Sequence, residues 1–227
     1  MGIFHARAHC NLRRQRHDRN AWWIVAIALA VLGGDLSRAD PRSTDTAVSA
    51  MIQQVADSRR LYQRALARQD AAMLAIAAEL RAEALGTWQP TGNADGGIPT
   101  PYDMLEQARQ WASHDDALGV VVDRIGQRRH RGNINGPLVR HVTIDSRRPF
   151  SIDTAFTPKF PAVVYVEGVP NARFAVRILD PDGAPVCEDA SARTYKLCRF
   201  LPDRSEPYSV EATSSDAAPL ELLIITN

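Results

Sequence analysis

The sequence predicts an α+β protein in two parts, an N-terminal helical bundle or set of helix pairs followed by an all-β sandwich of two sheets, for which a family resemblance given below implies the jelly-roll form. Three observations carry this reading. Apolar residues recur at three-and-four spacing from Thr44 to about Gln127, the period changes to two from Val139 onward, and the polar segment GQRRHRGNINGP separates the two patterns. The 227 residues are 45% hydrophobic and 23% charged, which suits a globular chain and excludes a wholly disordered or collagen-like one. The organisation is then a signal peptide over residues 1–39, a helical region over 40–127, a linker over 128–137 and a sandwich over 138–227.

The start of the chain reads as an export signal. Arg13, Arg14, Arg16 and Arg19 precede fourteen uncharged residues, AWWIVAIALAVLGG, and Ser37-Arg38-Ala39 follows with small residues at the two positions a signal peptidase reads. The apolar run is shorter than the roughly 20 residues that span a bilayer, so cleavage after Ala39 is expected to leave no stable membrane span. An uncleaved anchor helix is the alternative, since the basic flank suits either. Arg13-Arg14 has no apolar residue shortly after it and reads as a generic positive flank rather than a twin-arginine signal. The first 39 residues hold six arginines against Asp18 and Asp35, leaving 21 basic and 24 acidic residues in the rest. An acidic mature chain has little charge with which to grip nucleic acid.

The helical region divides at its own punctuation. Val48, Met51, Ile52, Val55, Leu61, Ala65 and Leu66 mark one buried face, with Arg59, Arg60, Arg64 and Arg68 on the wet side or in salt bridges. Asp70 can cap a second helix that stops at Gly86 and buries Met73, Leu74, Ile76, Ala77 and Leu80. Thr100-Pro101-Tyr102-Asp103 supplies a cap, a first-turn proline and an acidic third position for a third helix. Ser113-His114-Asp115-Asp116 repeats that logic for a fourth, expected to bury Leu118, Val121, Val122 and Ile125. Met73-Leu74 with Ala77 and Met104-Leu105 with Ala108 recur at an offset of 31, which fits paired helices better than a solenoid.

Beyond the linker, eight short runs read as strands: HVTIDS, PFSIDTAF, AVVYVEG, ARFAVRILD, APVCE, TYKLCRF, YSVEAT and LELLIITN. Short strands separated by turns predict two packed sheets. Cys10 lies in the segment to be removed, so the mature chain keeps Cys187 and Cys198. In an exported protein, eleven residues apart on two neighbouring strands, they are expected to form a disulfide across a hairpin, worth about 3 kcal/mol by chain entropy. Two sulfurs without a nearby histidine supply only half of a zinc site.

The strands VVYVEG (Val163 to Gly168), VRILDPDGAPVCEDA (Val176 to Ala190) and CRFLPDRSEPYSVEAT (Cys198 to Thr213) resemble the bacterial pre-peptidase C-terminal domain and related secreted jelly-roll modules. Asp180, Gly183, Phe200, Pro202, Tyr208 and Val210 stand at the positions that carry the likeness, which covers under half of the chain. The resemblance implies a sandwich that accompanies secreted enzymes as an accessory, targeting or substrate-contact module. The chain departs from the pattern at Asn171-Ala172-Arg173-Phe174, where an acidic pair is usual, and at Glu206-Pro207.

Candidate chemistry is sparse. No nucleophile elbow, zinc-protease helix, phosphate loop or dinucleotide fingerprint is present, and Lys159 and Lys196 are the only lysines. Asp180-Pro181-Asp182-Gly183, with Glu188 and Asp189 beyond, offers oxygens for Ca²⁺, but Pro and Gly are also the residues of a β-turn, and the turn is favoured. Trp88 in the Gly- and Pro-containing loop is the candidate contact aromatic, while Trp111 fits a core.

The reading is therefore an exported, non-catalytic binding or assembly module of the cell envelope, periplasmic or secreted, that contacts a protein or polysaccharide partner. A small envelope hydrolase with a site between the two parts is the alternative, and it requires at least two of His114, His130 and His141 to meet. A polysaccharide binder requires an exposed platform, so the facing of Tyr165, Tyr195 and Tyr208 decides that version. The sandwich is expected to fold alone, with trypsin cutting at Arg128, Arg129 or Arg131. Intact-mass measurement of the protein from the envelope fraction should give a chain beginning at Asp40; a species that retains residues 1–39 would instead identify an anchor.

Overall fold

The computed structural model describes residues 41–86, 97–128, 136–145 and 148–227. Four helices come first: α1 (Pro41–Arg68), α2 (Ala71–Leu85), α3 (Pro101–Ala112) and α4 (Asp116–Gly126). Residues 1–40, which include the expected cleavage site at Ala39, together with Trp88, Arg129, His130 and Arg131, lie outside the described residues.

Helices α2, α3 and α4 each begin where a side chain can satisfy orphan backbone donors. Asp70 accepts the Met73 N–H at 2.9 Å, and Gly86 closes α2 in the left-handed conformation, φ 68°, its N–H donating to the Ala82 carbonyl. Only glycine takes that backbone without a side-chain penalty. Thr100 and Asp103 form a reciprocal capping box with Pro101 in the first turn, and Asp115 caps α4 through the Leu118 N–H. Ala65, Leu74, Ala77, Met104, Leu105, Ala108, Val122 and Ile125 meet in the helical core.

Three residues expected inside are exposed: Leu66, Ile76 and Val121. The physical reason is clearest in α2. That helix buries Ala71, Ala75, Ala77, Ala78, Ala82 and Ala84 along with Leu74, so small side chains surround most of its circumference and let neighbours approach on several sides. An almost uniformly apolar helix offers no period from which to choose its open strip, and Ile76 falls on it. In α4 only the stripe through Val122 and Ile125 is buried, which leaves Val121 outside.

The strands are β1 (Leu138–Ile144), β2 (Phe150–Thr154), β3 (Ala162–Gly168), β4 (Phe174–Leu179), β5 (Pro185–Asp189), β6 (Tyr195–Phe200), β7 (Tyr208–Ser214) and β8 (Leu220–Thr226). They form two four-stranded antiparallel sheets, β1-β8-β3-β6 and β2-β7-β4-β5, hereafter sheet A and sheet B. Apart from the β4–β5 hairpin within sheet B, successive strands alternate between sheets, which is the strand order of a jelly roll. The interior holds Val164, Val166, Phe174, Val176, Ile178, Tyr208, Val210, Leu222 and Ile224.

Cys187 and Cys198 are bonded, with their Cα atoms 5.9 Å apart. The hairpin expected to hold them does not form. Cys187 is on β5, an edge of sheet B, and Cys198 is on β6, an edge of sheet A. The chain crosses between sheets there, so the bond staples the two layers together along one side of the sandwich.

The helices lie against sheet A. Val48, Ile52, Val55 and Ala56 of α1 and Ala84 of α2 share a core with Val163, Tyr165, Tyr195, Leu223 and Ile225. In consequence β3 is buried along its whole length, alternate residues entering the sandwich and the helix junction. A fragment starting at Pro137 therefore exposes a row of large apolar side chains. It is expected to bind a hydrophobic dye or aggregate where the intact protein does not, and the intact protein to unfold in urea as one transition through this face. Two separate transitions, with a soluble fragment silent to the dye, would show that the junction contributes little.

Candidate functional site

Two features of the described residues stand out from a packed structural background: a buried charge cluster at the helix–sheet junction and an open strand edge on the far side of sheet A.

The cluster is built on Glu167, near the end of β3, on the same face as Val163 and Tyr165. Its side chain is 0% exposed, and so it needs compensation inside the protein. Arg81 of α2 places Nη2 2.5 Å from Oε2, Arg59 of α1 places Nη1 3.3 Å from Oε1, and the Tyr165 hydroxyl donates to Oε2 at 2.7 Å. Both arginines are 1% exposed. Burial opposes the charge on Arg81, but Glu167 and Tyr165 outweigh it and raise its pKa. Burial, then the carboxylate charge, holds the Tyr165 phenol well above its ordinary value, so Tyr165 stays neutral. Arg59 Nη2 also donates to Thr194 Oγ1 at 3.2 Å, and the Arg59 guanidinium lies 5.1 Å from the centre of the Tyr62 ring. Ser58 Oγ donates to the Ala77 carbonyl at 2.7 Å, joining α1 to α2 beside the cluster.

The second feature is β1. It pairs with β8 on one side and with no described strand on the other. Leu138 and Val139 are 48% and 39% exposed, and Arg140 and His141 are exposed as well. A depression of about 130 Å³ beside it is lined by His141, Val142, Thr143, Glu221 and Leu222. The helices cover the outer face of sheet A at β3 and β8, whereas sheet B shows solvent a polar row in register across its four strands, Ser151, Glu211, Arg177 and Glu188.

The residues singled out from sequence are distributed as follows. Asp180 Oδ1 accepts the N–H groups of Asp182 and Ala184 at 3.0 and 2.8 Å, the Gly183 N–H donates to the Asp180 carbonyl, and Gly183 has φ 82°. This is the geometry of the turn. The Asp182 carboxylate pairs with Arg204 at 2.5 Å, whose hydrogen bond lowers its pKa. Among the described residues, no three His, Cys, Asp or Glu side chains stand together as metal ligands. His141 is the one described histidine at the depression, while His114 is exposed in the turn between α3 and α4. Tyr165, Tyr195 and Tyr208 are all buried, which removes the platform those three were to supply: Tyr165 stacks on Tyr195, and the Tyr208 hydroxyl donates to Asp203 at 2.9 Å. Lys196 is buried and donates from Nζ to the carbonyls of Ser191 and Arg193, tying down the β5–β6 loop. Trp111 packs on the helical core as expected.

Sequence reasoning missed Arg81 and Glu167 altogether. The signal was in the strands: AVVYVEG and LELLIIT run apolar without alternating, which is the mark of a strand covered on both faces, whereas FAVRIL and YSVEAT alternate. A carboxylate at the end of a doubly covered strand calls for a buried cation.

No protein-family model matches the chain, and no curated protein sequence matches it. Among solved structures, a crystal structure of a mitogen from Yersinia pseudotuberculosis shares 8% identity over 40% of this chain and 85% of its own, with a TM-score of 0.34. The crystal structure of Aeromonas hydrophila PliG, a periplasmic lysozyme inhibitor of g-type lysozyme, shares 8% identity over 40% of this chain and 86% of its own, with a TM-score of 0.30. A de novo designed double-stranded β-helix shares 13% over 40% of this chain and 99% of its own, at 0.28. The jelly-roll assignment rests on the strand order itself.

Replacing Glu167 by Gln keeps its shape but takes the carboxylate from two buried guanidiniums, which should destabilise the protein by about 3–5 kcal/mol in urea unfolding. Tyr165→Phe, which removes one hydrogen bond to a charged group, should cost about 1.5–3 kcal/mol. A Glu167→Gln loss below that of Tyr165→Phe would mean that the junction does not depend on the charge.

Proposed function

We propose that the chain is an exported, non-catalytic binding module of the cell envelope, periplasmic or secreted, that contacts a protein partner. The observation that carries this reading is the free edge of β1, with Leu138 and Val139 exposed beside the depression at His141 and Glu221. A sheet edge offers unpaired backbone donors and acceptors to an extended segment, and apolar side chains next to it add area that excludes water. The disulfide that joins the sheets fits an oxidising compartment, in agreement with the basic, apolar and small-residue order before Asp40. A protein partner is favoured over a polysaccharide because Tyr165, Tyr195 and Tyr208 face inward. The resemblance to pre-peptidase C-terminal modules belongs to the same reading, since such domains accompany secreted enzymes as accessory modules.

The test is a photo-crosslinking amino acid placed at Val139, and separately at Glu188 on sheet B, in cells that export the protein. A discrete adduct with another protein at position 139 and none at 188 is expected, and Leu138→Asp with Val139→Asp should weaken the same contact at least tenfold. Equal labelling at both positions, or adducts unchanged by the double substitution, would remove the edge from the reading. Retention on purified polysaccharide without any protein adduct would move the partner to that class.

A further inference from the structure

We infer that the cluster of Arg59, Arg81 and Glu167 holds one chloride-sized monovalent anion. Two guanidiniums, each 1% exposed, face a single carboxylate, so among the described residues the junction encloses one positive charge in excess. A buried unpaired charge is among the costliest things a fold can contain, and it is tolerated where an opposite charge joins it. Among the described residues, the neighbouring groups do not supply one. Tyr165 is neutral, held well above its ordinary pKa. Asp57 is half-exposed and pairs with Arg60, Asp103 is exposed and bonded within the Thr100 capping box, and Glu83 is exposed and accepts from Gln54.

The hydrogen-bond inventory points the same way. Arg59 Nε, Arg59 Nη1 and Arg81 Nη1 are buried donors without a well-formed bond to any described acceptor. Glu167 Oε1 faces Arg59 Nη1 at 3.3 Å but is poorly aligned with it, which leaves donors in excess even if that pair is counted as satisfied. Guanidinium is weakly hydrated and acceptor-free, so surplus arginine donors in a dry site are complemented by an anion. Both arginines hold the two oxygens of one carboxylate and therefore stand beside each other. A larger anion with several charged oxygens would overcompensate a surplus of one, and the burial of all three side chains favours a small spherical ion. This site is independent of the β1 edge and stands or falls without it.

An anion that binds only the folded state raises the folding equilibrium constant in proportion to its concentration above half-saturation, roughly tenfold per tenfold increase. The oxidised protein should be melted in sodium chloride, sodium bromide and sodium gluconate at one fixed ionic strength, the balance made up with gluconate. Melting temperature is expected to climb with the logarithm of chloride or bromide and to stay level in gluconate, which is too large for the site. Arg59→Met leaves Arg81 and Glu167 one to one, and should abolish the halide dependence. Crystals of the unaltered protein grown in bromide should show an anomalous peak within hydrogen-bond reach of Arg59 Nε and Arg81 Nη1, a readout that holds even if the variant does not fold. Identical melting in all three salts, a halide dependence that survives Arg59→Met, or water alone at the cluster in bromide-grown crystals would each overturn the proposal.

Discussion

A carboxylate sits where water cannot reach it, and the arrangement of the whole protein follows from how it is neutralised. Glu167 belongs to sheet A, while its two cations belong to α1 and α2. Apolar contact between helices and a sheet is non-directional, and the shared core of Val48, Ile52, Val55, Val163, Tyr165 and Ile225 tolerates sliding in a way that the charges do not. Moving either helix by one turn, about 5.4 Å, takes a guanidinium away from Glu167 and leaves two buried charges apart. The ion cluster thereby sets the register of the α1–α2 pair on the sheet. Gln63 and Arg59 bonding to Thr194, and Arg60 to the Tyr195 hydroxyl, extend the same registration to β6.

Once the helices occupy the outer face of sheet A, the rest of the surface is assigned by exclusion. The β5–β6 side is closed covalently through Cys187 and Cys198, and its loop is pinned by Asp189, which accepts from Ser191 and Arg193, and by Lys196. Sheet B faces water with a mixed-charge row that carries no large apolar side chain at Ser151, Glu211, Arg177 or Glu188. The opposite side, where β1 and β2 end their sheets, has neither a bond nor a covering helix among the described residues. Among the described residues, β1 offers an extended partner unpaired backbone together with the exposed pair Leu138 and Val139, whereas the β5 edge carries a single exposed large apolar residue, Val186, on the side closed by the disulfide.

Local chemistry was legible in the sequence and tertiary chemistry was not. Asp70, Gly86, Thr100 and Asp115 act within four residues of themselves, so their caps could be read from spacing, as could the Asp180–Gly183 turn and the change of period after the helices. Cys187 and Cys198 could be paired from sequence because they are the only two cysteines after Cys10, yet their separation of eleven residues could not distinguish a hairpin from a crossing between sheets. Arg59 was grouped with Arg60, Arg64 and Arg68 because all four are arginines on one helix. Which of them enters the junction depends on a carboxylate 108 positions later in the chain, and no local pattern contains that information. Ile76 failed for the converse reason: α2 has too little pattern, being apolar nearly all round.

The two constraints that hold the sandwich in place differ in kind, and the difference bears on where the protein can work. A covalent bond between β5 and β6 limits the unfolded chain and persists only in an oxidising compartment. The Glu167 cluster acts in the folded state alone, and its buried charges are scarcely screened by salt. Reduction therefore removes the staple between the sheets without touching the seat of the helices, whereas loss of a charge at Glu167 frees the helices while the sheets stay bonded. A junction and a staple placed at β3 and β6, both in sheet A, leave β1 as the strand of that sheet least tied to either. Its edge can accept a partner without disturbing the interactions on which the fold depends.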